Sequence, residues 1–254
     1  KNTKLYFMMI DHYIAEFIGT FFLLLLGAGV VANVTLKNTI ATGQSPWVLI
    51  TSAWGFAVFV GVFISDQFSG AHLNPAVTLG LSVAGKFSWT LVPGYLIAQV
   101  LGAMLGGWVC YLTYIDHYRL TENEVVVRST FCTGPAIRNF KNNFFSEFIG
   151  TFVLVFGVLF IAAPNIEIEG MVVENYGLGA LQALPVAILV WVIGMALGGT
   201  TGYAINPARD FGPRLIYQML PRKNKDADWS YAWIPILGPF TGGAIAGLVY
   251  KLLI

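Results

Sequence analysis

Two ten-residue stretches hold the residues best placed to do chemistry. SGAHLNPAVT runs from Ser69 to Thr78, and TGYAINPARD from Thr201 to Asp210. In register they share a small hydroxyl residue, a glycine (Gly70, Gly202), an aliphatic residue (Leu73, Ile205) and then Asn-Pro-Ala, at Asn74, Pro75, Ala76 and at Asn206, Pro207, Ala208. The two asparagines lie 132 positions apart, about half the chain. Asparagine is a favoured helix N-cap, and proline suits the first turn, where its missing N–H is not required. Each stretch therefore predicts a helix start preceded by non-helical backbone. Asparagine amides free to donate, set opposite backbone carbonyls that accept, make a narrow path suited to a neutral hydroxylated molecule. The chemistry on offer is hydrogen bonding.

The elements that position these stretches follow from composition. The 254 residues are 56% hydrophobic and 11% charged, against about 25% charged in soluble domains, and the mean hydropathy is +0.70. A polytopic membrane protein is expected, surrounded by lipid. Net charge is +1 and no basic block occurs, so no nucleic-acid partner is expected. Cys110 and Cys132 form no ligand motif and read as packing thiols. Apolar windows of spanning length fall near 14–34, 47–68, 90–114, 144–163, 177–198 and 231–254, each meeting the requirement of about 20 residues. Residues 75–85 and 207–217 lie between crossings. Eleven residues make a helix of about 16 Å, half the membrane core. The predicted fold is all-α, with six transmembrane helices and two re-entrant half-helices.

The halves repeat beyond the signature. EFIGTF occurs at Glu16–Phe21 and again at Glu147–Phe152. Gly102 and Gly106 correspond to Gly238 and Gly242, both at GxxxG spacing that lets helices approach closely. Three crossings per half is odd, so the second half inserts upside down, and the functional site is expected where the broken helices meet. The expected organisation is one membrane channel domain over 1–254, with repeats at about 8–115 and 140–254. The linkers at 115–143, at 164–176 with Glu167, Glu169 and Glu174, and at the charged 221–228 read as plain solvated loops. The chain begins at Lys1 rather than Met, so trimmed ends are expected, without a cleavable leader.

Non-helical backbone at membrane depth must be buried in protein or line water. Gly70, Ala71, His72 and Leu73, and Gly202, Tyr203, Ala204 and Ile205, are therefore expected to present carbonyls to a pore. Two helix N-termini facing each other there, each carrying roughly half a positive charge, disfavour a cation or a migrating proton.

On both Asn-Pro-Ala motifs, both Glu-bearing first helices and the six crossings, the whole chain resembles the major intrinsic protein family of aquaporins and glycerol facilitators. Aquaporin-type pores are the general case of the exclusion physics above. The family's constriction takes one residue from the second crossing, one from the fifth, one just before the second Asn-Pro-Ala and the Arg just after it. Counted from the asparagines, these fall on Trp54, Gly194, Tyr203 and Arg209. Water-selective members have Phe and His at the first two places; Trp and Gly form the glycerol-facilitator pattern. Gly194 leaves room that a His would fill, Trp54 with Tyr203 offers an apolar corner for a carbon backbone, and Arg209 supplies a fixed fork of donors.

Asp210, Arg214 and Pro235 with Ile236 also resemble the glycerol class. Tyr203 departs from the Phe of well-known bacterial facilitators, and its hydroxyl either narrows the opening or adds a hydrogen bond. The resemblance implies passive conduction of glycerol, related neutral polyols and water, a homotetramer with one pore per subunit, no cofactor or metal, and residence in the inner or plasma membrane with cytoplasmic termini. The distribution of Lys and Arg runs against that orientation, four inside and nine outside.

Glu16 and Glu147 sit in apolar segments, where a carboxylate is a functional-site candidate by default. Support of the re-entrant loops through accepted hydrogen bonds is expected, rather than a proton relay. His72 reads as a hydrogen-bonded structural histidine whose carbonyl faces the pore. With no phosphate loop, metal-spaced cluster or activated nucleophile, no enzyme is expected. A water-selective aquaporin, an ion-coupled secondary transporter built on the same inverted repeats and a structural membrane protein with a vestigial pore stand as alternatives.

Overall fold

The computed structural model of the chain describes residues 2–43, 47–162, 166–168, 171–173 and 178–254. In the first half run α1 (Asn2–Thr35), α2 (Trp47–Ser69), the short α3 (Pro75–Val83) and α4 (Val92–Thr113), with α5 (Ile115–Leu120) and α6 (Glu124–Ser129) in the central connection. The second half holds α7 (Phe140–Phe160), α8 (Leu184–Leu197) entered through a 3-10 turn at Gly179–Ala183, α9 (Pro207–Met219), α10 (Trp229–Ala232) and α11 (Ile234–Leu253). Six of these segments are long and apolar enough to cross a membrane. The two half-helices are nine and thirteen residues long, about 14 and 20 Å.

Two expectations about the linkers need correction. The stretch 164–176 carries a short antiparallel hairpin, β1 (Ile166–Ile168) and β2 (Met171–Val173), with Ile166 opposite Val173. Glu169 and Glu174 lie outside the described residues. Residues 221–228 are solvated only in part: Lys223, Asn224 and Asp226 are exposed, but Ala227 and Asp228 are buried, and the Arg222 guanidinium donates to the carbonyls of Tyr118 and Thr121 at 2.7 Å each and to Glu124 at 2.9 Å. The connection 115–143 is helical in part and packs its Tyr118, Val127 and Phe131 into a core cluster with Tyr217 and Leu220.

Polarity runs from inside to outside in reverse of a soluble protein. Glu16, Gln99, Glu147 and Arg214 are buried, while Phe56, Ile97, Phe145 and Ile188 are exposed on the bundle's outer face. Apolar side chains gain nothing by leaving hydrocarbon, so helix packing rests on close backbone approach. α4 lies against α1, and α11 against α7. A Cβ at Gly102 would stand 2.3 Å from the Phe17 carbonyl oxygen, and one at Gly242 the same 2.3 Å from that of Phe148. Phe17 and Phe148 are equivalent members of the EFIGTF repeats. Packing therefore pairs Gly102 with Gly242, one helical turn beyond the correspondence that GxxxG spacing gives. Each half-helix also packs across the repeats, α3 against α11 and α9 against α4, which brings both Asn-Pro-Ala turns to the centre.

Candidate pore

Both half-helices start as the sequence predicts. Asn74 and Asn206 are extended N-caps; the Asn74 side-chain oxygen accepts from the Ala76 N–H at 2.9 Å, and that of Asn206 from Ala208 at 3.0 Å and Arg209 at 3.1 Å. The amide nitrogens cross the repeat axis. Asn74 Nδ2 donates to the Ile205 carbonyl and Asn206 Nδ2 to the Leu73 carbonyl, both at 2.8 Å. This corrects the expectation of wholly free amides. One hydrogen of each amide ties the half-helices together, and the second is left for a solute.

The backbone before each cap is strained in the same pattern. Gly70 and Gly202 are left-handed, as are Ala71, Leu73, Tyr203 and Ile205, with φ of 47°, 53°, 36° and 41°. A non-glycine residue in that region costs about 1–3 kcal/mol. Two buried carboxylates hold the conformation. Glu16 accepts from the N–H groups of His72 and Leu73, the Ser69 hydroxyl (each 2.8 Å) and Gln99 Nε2 (2.7 Å). Glu147 accepts from Ala204 N–H (3.0 Å), Ile205 N–H (2.9 Å) and the Thr201 hydroxyl (2.6 Å).

A trans peptide points its C=O opposite to its N–H, and the chain has no cis bonds among the described residues. With the N–H groups of His72 and Leu73 turned to Glu16, the carbonyls of Ala71 and His72 face away from it. Tyr203 and Ala204 follow from Glu147 in the same way. Gly70 joins them, because Ala71 N–H donates to Ser69 Oγ at 3.1 Å.

These carbonyl-bearing residues border a cavity of about 220 Å³, whose lining runs past Asn74 and Asn206 to Trp54, Tyr203 and Arg209. Leu73 and Ile205 line it too, with their carbonyls occupied by the crossed amides. Gly202 and Gly194 are not among the lining residues. The Arg209 guanidinium carbon sits 4.2 Å from the centroid of the Trp54 ring, a cation–π distance. Among the described residues no group accepts a hydrogen bond from that guanidinium, so its donors face the cavity. Trp54 lies on Gly27, where a Cβ would be 2.3 Å from the ring.

The room at Gly194 is occupied. A Cβ there would stand 2.8 Å from Tyr203 Cζ, and one at Gly198 would stand 2.4 Å from Tyr203 Cδ1. Trp47 closes the seat, edge-on to Tyr203 at 5.8 Å with its Nε1 donating to the Gly194 carbonyl at 2.9 Å. Gly194 thus makes room for Tyr203 rather than directly for solute. The buried Tyr203 hydroxyl has no partner among the described residues. His72 stacks edge-on against Phe87 at 4.5 Å and hydrogen-bonds Thr78 at 3.1 Å.

Sequence inspection missed several supports. Ser69 and Thr201 were visible only as a shared hydroxyl; the repeat of that hydroxyl before each Gly is the signal that finds them. Gln99 carries no motif. Behind Arg209, Asp210 pairs with Arg214 at 2.7 Å, both side chains fully buried. Thr133 donates its N–H and hydroxyl to the same Asp210 oxygen at 2.8 and 2.7 Å, and Arg214 donates to the Thr133 carbonyl at 3.0 Å.

Six apolar spans, two half-helices meeting cap to cap, and a polar-studded cavity through the junction define a membrane channel protein with an inverted repeat. Residues 4–250 match the family described as major intrinsic protein, and the chain belongs to that family. It is 48% identical over 240 residues to the probable glycerol uptake facilitator protein of Thermotoga maritima, covering 94% of this chain and 97% of that protein. It is 46% identical over 245 residues to the glycerol uptake facilitator protein of Streptococcus pneumoniae, covering 96% and 100%. The X-ray structure of the aquaglyceroporin from Plasmodium falciparum superposes with a TM-score of 0.81 at 30% identity over 96% of each chain.

Proposed function

We propose that the chain is a passive, bidirectional channel for glycerol, related small neutral polyols and water, and that it excludes ions and protons. The carrying observation is the corner made by Trp54, Tyr203 and Arg209: an aromatic wall for a carbon backbone beside a guanidinium whose donors face the cavity. The names of the relatives support the same solute. Trp54, Gly194, Tyr203 and Arg209 act as the selectivity filter, the carbonyls of Gly70, Ala71, His72, Tyr203 and Ala204 as the acceptor ladder, and the Asn-Pro-Ala pair as the midpoint donors. Ion exclusion follows from the Arg209 charge and the two half-helix N-termini directed at the centre. The repeats at 8–115 and 140–254 work as one channel domain, without a catalytic step.

Stopped-flow light scattering on proteoliposomes with a glycerol gradient tests the proposal. Glycerol flux well above bare lipid, without ion current, is expected; fast water flux with glycerol at the bare-lipid rate refutes it. The seating of Tyr203 in the Gly194 space favours a second reading, a water-selective pore, and the same measurement separates the two. Saturable uptake that collapses with a proton or sodium gradient indicates a coupled transporter instead. We further propose a homotetramer embedded in the inner or plasma membrane with both termini cytoplasmic. Mass measurement in detergent tests the subunit count, and labelling of cysteines introduced at the termini tests the orientation.

A further inference from the structure

The cavity that reaches Arg209 at one end also meets a carboxylate. Asp66 lies on α2, twelve residues beyond Trp54, about 18 Å at helical rise, and it lines the same cavity. Its Oδ2 accepts from Gln182 Nε2 at 2.6 Å, across the mouth from the 3-10 turn that opens the fifth span. Among the described residues Asp66 Oδ1 and Gln182 Oε1 have no partner, and no cation pairs with Asp66. Residues 142–208 and α2 contain no Lys, Arg or His; the nearest in the chain, His72, lines the same cavity and bonds Thr78. One end of the path therefore presents acceptors and the other, at Arg209, presents donors. Apart from the carbonyl ladder and the asparagine amides, the stretch between is lined by apolar side chains such as Val58, Val62, Leu81 and Val186.

A solute entering that apolar stretch must exchange the water on its hydroxyl or amide hydrogens for protein acceptors, and an ionised oxygen is the stronger acceptor. We infer that Asp66 is a specificity-determining residue, an acceptor station at the mouth opposite Arg209 that takes over the hydrogens of small neutral polyols and ureas. This rests on the channel function proposed above.

Proteoliposomes of the full chain carrying Asp66→Leu, Asp66→Asn or Gln182→Leu test it, with glycerol, urea and water fluxes measured side by side. Asp66→Leu lowers glycerol and urea flux at least about tenfold, the low end for one hydrogen bond to a charged group, and changes water flux less than about twofold. Asp66→Asn keeps one acceptor oxygen and loses about half as much on the same scale. Gln182→Leu leaves the carboxylate and stays close to wild type. The inference is overturned if glycerol flux is unchanged in both Asp66 variants, if glycerol and water fall in equal proportion, or if Gln182→Leu reproduces the Asp66→Leu loss, which makes the pair a latch between helices. If Asp66→Leu fails to insert, Asp66→Asn decides by the same glycerol-to-water ratio. The channel function is judged on the wild type alone: no glycerol flux above bare lipid removes both.

Discussion

Glu16 and Glu147 occupy matching places, yet exchanging each for glutamine perturbs unequal surroundings. In Glu147→Gln, the amide oxygen placed at the Oε1 position keeps Thr201 and Ala204. The NH₂ group then meets the Ile205 N–H, donor against donor, where a carboxylate oxygen accepted at 2.9 Å. A lost bond to a charged acceptor with a buried donor left unpaired costs about 2–3 kcal/mol. Ile205 and Tyr203 are both left-handed, so the same peptide loses the contact that offsets its strain.

In Glu16→Gln, the NH₂ group faces the Leu73 N–H and Gln99. Gln99 Oε1 is buried with no partner among the described residues, so a flip of the Gln99 amide presents that oxygen to the new donor. That bond only replaces the one Gln99 Nε2 gave to the same oxygen, and the flip turns Nε2 away from Thr78 Oγ1. The Leu73 N–H stays unpaired as the Ile205 N–H does, and one further bond of about 1 kcal/mol is lost. At roughly 2–4 °C per kcal/mol for a chain of this size, Glu147→Gln lowers the unfolding midpoint by about 7 °C and Glu16→Gln by about 10 °C. Unfolding in detergent, followed by tryptophan fluorescence at one scan rate, measures both. Equal midpoints for the two single variants, or a smaller loss for Glu16→Gln, refute the account.

Gly194→Ala pushes a methyl into Tyr203 Cζ and lowers glycerol flux more than water flux; adding Tyr203→Ala restores glycerol, and failure to do so in proteoliposome assays displaces Tyr203 from that role. Trp54→Phe with Gly194→His reduces glycerol flux more than water flux, whereas equal losses place the constriction elsewhere. Arg214→Leu strands the Asp210 carboxylate and costs about 3–5 kcal/mol. Asp210→Thr with Arg214→Ser installs the residues that the first repeat carries at Thr78 and Ser82; this double variant unfolds at a higher temperature than Arg214→Leu in detergent, and the opposite order counts against the ion-pair account. At the linker, burial alone raises the Asp228 carboxyl, but hydrogen bonds from Arg138 and Ser230 hold it below the ordinary range. A lowered folded-state pKa gives stability that is full above the unfolded value of about 3.9 and fades as pH falls through the folded one. The midpoint difference between wild type and Asp228→Asn accordingly narrows as pH drops below about 4, and a pH-independent difference assigns the effect to packing.

What was legible in the chain followed from local chemistry. Asn-Pro caps announce helix starts in any surroundings, and both half-helices begin at Pro75 and Pro207 as expected. Spanning length is likewise a property of one segment. What was not legible depends on residues brought together from far apart. Gln99 reaches Glu16 only because α4 lies on α1, and Thr133 reaches Asp210 across 77 positions. Gly194 was located by counting, but the occupant of its space is decided by how Tyr203 folds back on it. The glycine correspondence slipped because the repeat offset is not constant along the chain. It is 131 at EFIGTF, 132 at Asn-Pro-Ala and 140 in the third helices, where contacts rather than spacing set the register.

The unequal offsets mark where the repeats diverge in chemistry. In register with Asn-Pro-Ala, Val77 faces Arg209, Thr78 faces Asp210 and Ser82 faces Arg214; from the glycine contacts, Gln99 matches Pro239. The first repeat supports its loop from within the bundle, through Gln99 bonded to both Glu16 and Thr78. The second has a proline at that place and draws support from the linker through Thr133, Ala227 and Asp228. Helix geometry explains why a second arginine accompanies the first. Neighbours on a helix diverge while residues four apart share a face, so Asp210 turns to Arg214 and away from Arg209. The local charge is balanced on the buried side of α9, and Arg209 keeps its donors for the cavity. An acid that instead paired with Arg209 would occupy the fork that a polyol needs, so the Arg-Asp adjacency serves the pore because the partner sits at i+4.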